Sequence, residues 1–415
     1  MRILYVTSFW TAFRDMLLVD GDSSKGMPGF INTVKALKKD GHEIDFLLIS
    51  TDPEDANIMT KDFVTSYVNK EDIKEIIIYK PKARIKKIVG LMNLYSEVKK
   101  TTERLVSEEE YDFVYAQSSF AMPASKVAYE KDIPCGHRLY GSFVYGYYKK
   151  NGFLRTLFFE PFEILSYYLP KSFMLITDDG SNGAKALELF NKRKKRYDFY
   201  FWRNGVDRID STHKSIIKNS RFHLEHPSIF YFGRIAQWKR QDRAIEVIKL
   251  LKDKGLNSQL YLAGQIAAND EGYYKEIMQK ASRLGVEEQV KYIGTITREE
   301  ANYMAKNSDV SLLLYDVTNM GNVFHELLAD GAVIIALNDG TLNDYLVNGD
   351  NGYLVNDEAE AAEIIAELIS NQDNGKVIRE NAINKSKQSM KSWGDRVFDE
   401  IEIIKKAVRK SHDSR

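Results

Sequence analysis

The chain has 415 residues, with 59 Lys and Arg matched by 59 Asp and Glu, seven His and one Cys, and at about 100–200 residues per domain this length predicts two or three domains. A composition of 44% apolar and 28% charged residues excludes a disordered or collagen-like chain, and zero net charge argues against a protein whose main partner is a nucleic-acid backbone. Cys135 alone allows neither an internal disulfide nor a cysteine-based zinc site, residues 1–10 lack the parts of a signal peptide, and no apolar run reaches ~18 residues, so a cytoplasmic protein without a membrane span is expected.

Short β-branched and aromatic runs alternate with stretches of helical period, the pattern of βα units on a parallel sheet. Strands are predicted near residues 2–7, 43–49, 75–79, 113–116, from 133 onward, and 173–177. Between the first two, residues 30–40 set Ile31, Val34, Ala36 and Leu37 on one helical face and close at Gly41. A second series follows at 229–232, 259–263, 290–293, 310–315 and 332–337. Two doubly wound domains are therefore expected, divided within residues 204–227, where Asn-Gly, several Ser and a Pro interrupt the periodicity. Residues 393–408 repeat Val397, Ile401, Ile404 and Val408 on one face, as a closing helix would. The expected division is 1–205, 206–390, and a tail 391–415 that packs back toward the first domain.

Ligands of open α/β sheets bind outside the carboxyl ends of the strands, so the residues after each predicted strand carry the chemistry. Gly233, Arg234 and Lys239 follow the strand at 229–232, and a guanidinium with an ammonium suits a diphosphate; on spacing alone, two surface cations near a helix start are the plainer reading. The strand at 310–315 leads into the polar loop 316–322 and a helix with His325 and Glu326. Such a loop can offer backbone N–H groups to an anion, and Glu326 can accept hydroxyls or simply stabilise a helix start. Gly26 and Gly29 flank a Met-Pro pair before helix 30–40, as a close approach to a ligand or as a plain turn. Residues 81–105 combine Lys82, Arg84, Lys86 and Lys87 with Ile88, Val89, Leu91, Met92 and Leu94, either a solvated helix or a surface for anionic lipid. The aromatic stretch 153–168 reads as core, acceptor groove or membrane-facing surface.

In this order and spacing the motifs resemble the retaining GT-B glycosyltransferases of group one, the family 4-like type. The resemblance rests on Gly29-Phe-Ile-Asn-Thr-Val-Lys-Ala-Leu37 with Gly41-His-Glu43, on Asn204-Gly-Val-Asp207, on Tyr231-Phe-Gly-Arg234 with Lys239, on Leu262-Ala-Gly264 and Tyr292-Ile-Gly294, and on the run from Glu326 to Ala336, followed by residues 348–355. It implies an α/β fold of two Rossmann-like doubly wound domains facing each other across a cleft, with a C-terminal closing helix. It further implies a nucleotide-sugar donor and a glycan or glycolipid acceptor, reacting with retention, with no metal and no cofactor. Arg234 and Lys239 are the implied catalytic residues. Gly26, Gly29, Gly233, Ile296, Thr318, Asn319, Met320, Gly321, Asn322 and Glu326 are the implied donor-binding residues, with Arg138, Tyr140 and Ser142 lining the acceptor side. Peripheral contact with the inner face of a membrane is expected, and nucleic acid is not. The chain departs from the family pattern at Thr318, where relatives often carry a first glutamate seven residues before the position of Glu326. His137 lies three residues before the family's His-Gly register and is expected to be structural. A catalytically inactive scaffold and a sugar-nucleotide epimerase are the rival readings.

Overall fold

The structure is a computed structural model that describes residues 1–21, 24, 26–79, 85–192, 196–209 and 222–413. The chain divides into two compact units, one made of Met1–Asn204 with Trp393–Arg415 and the other of Gly205–Ser392.

The first unit holds a seven-stranded parallel sheet of β1 (Arg2–Ser8), β2 (Glu43–Ser50), β3 (Ile73–Ile78), β4 (Phe113–Gln117), β5 (Cys135–Leu139), β6 (Phe173–Thr177) and β7 (Asp198–Trp202), in the order 3-2-1-4-5-6-7. Ile3 lies opposite both Ile44 and Phe113, so β1 is central, and its run from Ile3 to Val6 is fully buried, as a strand covered on both faces requires. Helix Pro28–Lys39 starts on a proline, buries Phe30, Ile31, Val34 and Leu37, and stops where Gly41 takes φ +77°. The terminal helix Trp393–Asp413 sets Val397, Ile401, Ile404 and Val408 into the same core as Phe30, Phe113 and Phe173. The same helix also buries a polar side chain: Glu400 meets the Arg138 guanidinium at 2.5 Å, accepts from Tyr115 at 2.8 Å and lies 3.3 Å from Arg396.

The second unit holds six parallel strands, β8 (Ser228–Phe232), β9 (Gln259–Ala263), β10 (Val290–Gly294), β11 (Val310–Leu313), β12 (Ile334–Leu337) and β13 (Tyr353–Val355), in the order 10-9-8-11-12-13. Strand order reverses between β8 and β11, which makes their carboxyl ends the switch point at which an open sheet leaves a crevice for ligand. Among the described residues no helix is long and apolar enough to cross a membrane.

Strands β7 and β13 were not anticipated. β7 follows the five-residue basic run from Lys192 to Arg196, and β13 is three residues long, too short for alternation to register. β5 begins at Cys135, two residues later than expected, because Pro134 has no N–H for the ladder. Of the basic-apolar segment, Lys82 and Arg84 and the side chains of Lys86, Lys87 and Ile88 lie outside the described residues, as does the stretch 210–221 of the expected boundary.

Candidate functional site

At the carboxyl ends of β8, β9 and β10 stand Gly233, Gly264 and Gly294, with φ of +147°, +144° and +77°. The Gly264 N–H donates to the Gly294 carbonyl at 2.9 Å and the Gly233 N–H to Ala263 at 2.9 Å, so the three strand ends lie edge to edge. A Cβ on Gly264 would overlap the Gly233 carbonyl, and one on Gly233 would reach the Tyr315 hydroxyl at 3.0 Å. The absence of side chains lets the three strand ends pack this closely.

Lys239 stands beside it. Its Nζ lies 3.5 Å from the centre of the Tyr315 ring and 4.2 Å from that of Trp238, a cation held between two aromatic faces. Tyr315 is fixed by donating to the Phe232 carbonyl at 2.7 Å, and Tyr231 holds the Lys239 carbonyl at 2.5 Å. Burial, and then the charge of Arg234, push the Lys239 ammonium down to about 7. Arg234 itself is half exposed, with Nε 3.6 Å from Asp270, and its carbonyl is held by Gln241 at 3.0 Å. Two cations therefore share the switch point, and their mutual repulsion leaves Lys239 short of a counter-charge that an anionic ligand would supply. Trp238 and Tyr315 were missed from sequence; the aromatic residue adjoining Lys239 was the available signal.

Glu326, in the helix Asn322–Ala329, is raised to about 7 by burial, against the pull of Arg298 at 4.0 Å. Arg298 is committed to Asp330, bonded at 2.6 and 2.9 Å, and Asp330 also accepts from Asn302 at 2.6 Å. Glu326 is thus a carboxyl that hydroxyl groups of a ligand could satisfy.

Several expected ligand contacts are not available to side chains. Asn319 is fully buried and staples the loop: it accepts from the Tyr315 N–H at 3.2 Å and donates to the Leu337 carbonyl at 3.1 Å and to Asp339 at 3.0 Å. Met320 and Ile296 are 3% and 6% exposed and belong to the core of the second unit, since both are apolar side chains that packing removes from water. The N–H groups of Asn319, Met320 and Gly321 are used within the fold, donating to Asp339, the Thr318 hydroxyl and the Asn319 carbonyl, so the loop does not present them to an anion. Thr318 and Asn322 sit half-buried at the loop's two ends, and Gly321 caps the following helix.

In the first unit, Gly26 is exposed at φ +82°, whereas Gly29 is buried against Arg138, Tyr140 and Asn204 and gives its carbonyl to Arg138 at 3.0 Å. Gly29 makes room for a guanidinium of its own chain, not for a donor. Arg138 is fully buried in its pairing with Glu400 and does not face an acceptor. Burial opposes its charge, but Glu400 and the neighbouring tyrosines outweigh that and keep it protonated. Ser142 is likewise buried, bonded to Glu163 and the Tyr167 hydroxyl at 2.6 Å each. Tyr140 is half-buried, donates to Gln117 and has the Arg138 guanidinium 4.4 Å from its ring centre. His137 is buried, with Nδ1 3.3 Å from Ser125, and burial drives its pKa well below the usual range; a general base in contact with solvent is not found there.

Two parallel Rossmann-like sheets, each with its switch point, and a terminal helix returned to the first unit define the GT-B fold. The whole-chain likenesses agree. Anabaena HepE in complex with UDP is 16% identical with a TM-score of 0.63, covering 100% of both chains, and sucrose-phosphate synthase from Thermosynechococcus elongatus is 15% identical with a TM-score of 0.69, covering 98% of this chain and 99% of its own. Residues 213–385 match the family model described as Glycosyl transferases group 1. Among curated relatives, trehalose synthase of Pyrococcus horikoshii is 28% identical over 155 residues, 36% of this chain and 37% of its own length, and that of Thermococcus litoralis is 26% identical over 171 residues, 40% and 41%. The chain thus spans about two-fifths of the curated relatives it matches.

Proposed function

We propose that the chain transfers a sugar from a nucleotide-sugar donor to a glycan or glycolipid acceptor, with retention and without a metal. The observation that carries this reading is Lys239, a half-buried amine between Trp238 and Tyr315 beside Arg234 at the β8/β11 switch point. Arg234 and Lys239 hold the donor diphosphate and stabilise the negative charge that grows as the sugar–phosphate bond breaks. Glu326 accepts the ribose hydroxyls, and Thr318, Gly321 and Asn322 border the transferred sugar. The leaving phosphate takes the acceptor proton, so positioning supplies most of the rate. Thr318 in place of a carboxylate changes the choice of donor sugar. The HepE structures, solved with UDP and with UDP-glucose, favour a uracil nucleotide as the first to try. We place the activity in surface polysaccharide or glycolipid assembly, with the protein resting on the inner face of a membrane.

The test is thermal stabilisation and calorimetry against UDP-, GDP-, ADP- and dTDP-sugars, with and without EDTA, since a ligand of the native state raises its stability. Selective, EDTA-insensitive binding lost in Lys239→Ala is the expected result. Binding of none of them favours a scaffold, and donor consumption without acceptor favours an epimerase.

A further inference from the structure

Arg240 takes left-handed backbone, with φ +52° and ψ +44°. A residue with a Cβ adopts that conformation at a cost, and keeps it where the surroundings over-determine it. Arg240 stands between the turn Gln237–Lys239, which follows β8, and the helix Gln241–Asp253, directly after the ammonium at the switch point.

What holds it is a guanidinium used on two sides. Nε and Nη2 donate to the two carboxylate oxygens of Asp242 at 2.9 and 3.0 Å, and Nη1 donates to both oxygens of Asp316 at 2.9 and 3.0 Å. The Asp242 pair is local, within the first turn of the helix. The Asp316 pair joins residues 76 apart in the chain, and Asp316 directly follows Tyr315 in the loop after β11. Arg243 adds a bond to Asp316 at 3.0 Å, and the Asp316 N–H donates to the Trp238 carbonyl at 3.2 Å.

These bonds close a ring around Lys239. Trp238 and Arg240 flank it on one loop, and Tyr315 and Asp316 adjoin on the other. The rings of Trp238 and Tyr315, centred 6.1 Å apart at 69° to each other, are the two faces that receive the ammonium. Arg240 and Asp316 therefore tie together the backbones that carry those faces. Their side chains are 27% and 42% exposed, and exposed ion pairs add little to stability, so this network is better accounted for by what it positions.

We propose that Arg240 and Asp316 are positioning residues, whose clasp between the loops after β8 and β11 holds Trp238 and Tyr315 at the spacing that places the Lys239 ammonium for a donor diphosphate. Their role rests on the donor contact given to Lys239, and neither is assigned a contact with the donor.

Charge and position pull in opposite directions here, which makes Asp316→Ala the informative variant. Removing an acid beside a cationic site raises the local positive potential and by charge alone tightens an anion. Removing the clasp instead loosens Lys239 and is expected to weaken UDP binding about tenfold. The probe in calorimetry is UDP, or whichever of GDP, ADP and dTDP binds in its place. Arg240→Gly, which keeps left-handed backbone without strain, is expected to weaken binding as much, and the double variant to be no weaker than either single one, since both remove one contact. Proton uptake at pH 8 is expected to fall in Asp316→Ala, because a loosened ammonium meets water and regains its proton before the ligand arrives. Of the charged groups around it, Arg234 lowers the ammonium, Glu326 acts on the Tyr315 hydroxyl, and Asp242 and Asp316 are bound by Arg240.

Melting temperatures near wild type certify the fold, and Asp316→Asn, the same shape without the charge, repeats the test if Asp316→Ala melts early. UDP binding by the Asp316 variant as tight as wild type or tighter overturns the proposal, as does a double variant in which the two losses add. If either occurs while Lys239→Ala abolishes binding, the clasp fails and the donor reading stands. Wild type that binds none of the four nucleotides overturns both.

Discussion

Arg138 and Glu400, 262 residues apart in the chain, meet at 2.5 Å with both side chains closed to solvent. Arg396 shares the carboxylate at 3.3 Å, so one buried anion serves two guanidinium groups. Glu400→Ala leaves both uncompensated in the interior and is expected to cost about 3–5 kcal/mol in chemical denaturation. Replacing the pair together, Arg138→Met with Glu400→Leu, recovers most of that loss, because the cost lies in the unpaired charge and not in the missing attraction. A single variant as stable as wild type would contradict the pairing.

Lys239 sets a pH dependence for donor binding. Its free ammonium titrates at about 7, lowered by burial and by Arg234, while a bound diphosphate favours the protonated form. Affinity is therefore greatest near and below pH 7 on this limb and falls as pH rises above it, and binding at pH 8 takes up protons. Calorimetry in buffers of different ionisation enthalpy measures that uptake directly. Proton-neutral binding at pH 8 would remove Lys239 from the contact.

Glu326 should trade stability for binding. Burial raises its carboxyl from the ordinary range to about 7, so its contribution to stability is full below the unfolded value and lost as pH rises through 7. Glu326→Gln is expected to be more stable than wild type at pH 8 by about 1–3 kcal/mol, the gap closing toward pH 4.5. The same variant binds nucleotide more weakly. Melting curves across that range, paired with nucleotide titration, check both halves.

Gly264→Ala puts a methyl group onto the Gly233 carbonyl at a φ of +144°. Strain and displacement of β8 are expected to cost about 1–3 kcal/mol and to reduce nucleotide binding. A wild-type melting temperature and affinity would show that the rim yields freely.

The rhythm of the fold was legible because buried parallel strands such as residues 3–6 and 229–232 are apolar throughout, and because Gly41 marks a helix end that only a left-handed residue makes comfortably. The cations at the switch point were legible too, since Arg234 and Lys239 follow a strand directly. What a sequence hides is which way a polar side chain turns. Arg138 and Ser142 stand at and just beyond the end of β5, where a ligand contact is expected, yet Glu400 draws one inward and Glu163 with Tyr167 hold the other. The partner Glu400 comes from the far end of the chain, and no local pattern announces it. Asn319 misled similarly: a polar loop residue looks like a ligand contact until its amide is found bonded to Tyr315, Leu337 and Asp339.

Because residues Gly205–Ser392 lie between the two stretches that make up the first unit, order of synthesis matters. The amino-terminal strands leave the ribosome early, but the helix Trp393–Asp413 that completes their core leaves after the second unit is already made. Domains commonly fold as they emerge, so the second unit is positioned to mature first and the first unit last. Until then Arg138 waits in an interior without its counter-ion, and nascent chains arrested before residue 400 should be caught by protease in the first unit while the second resists.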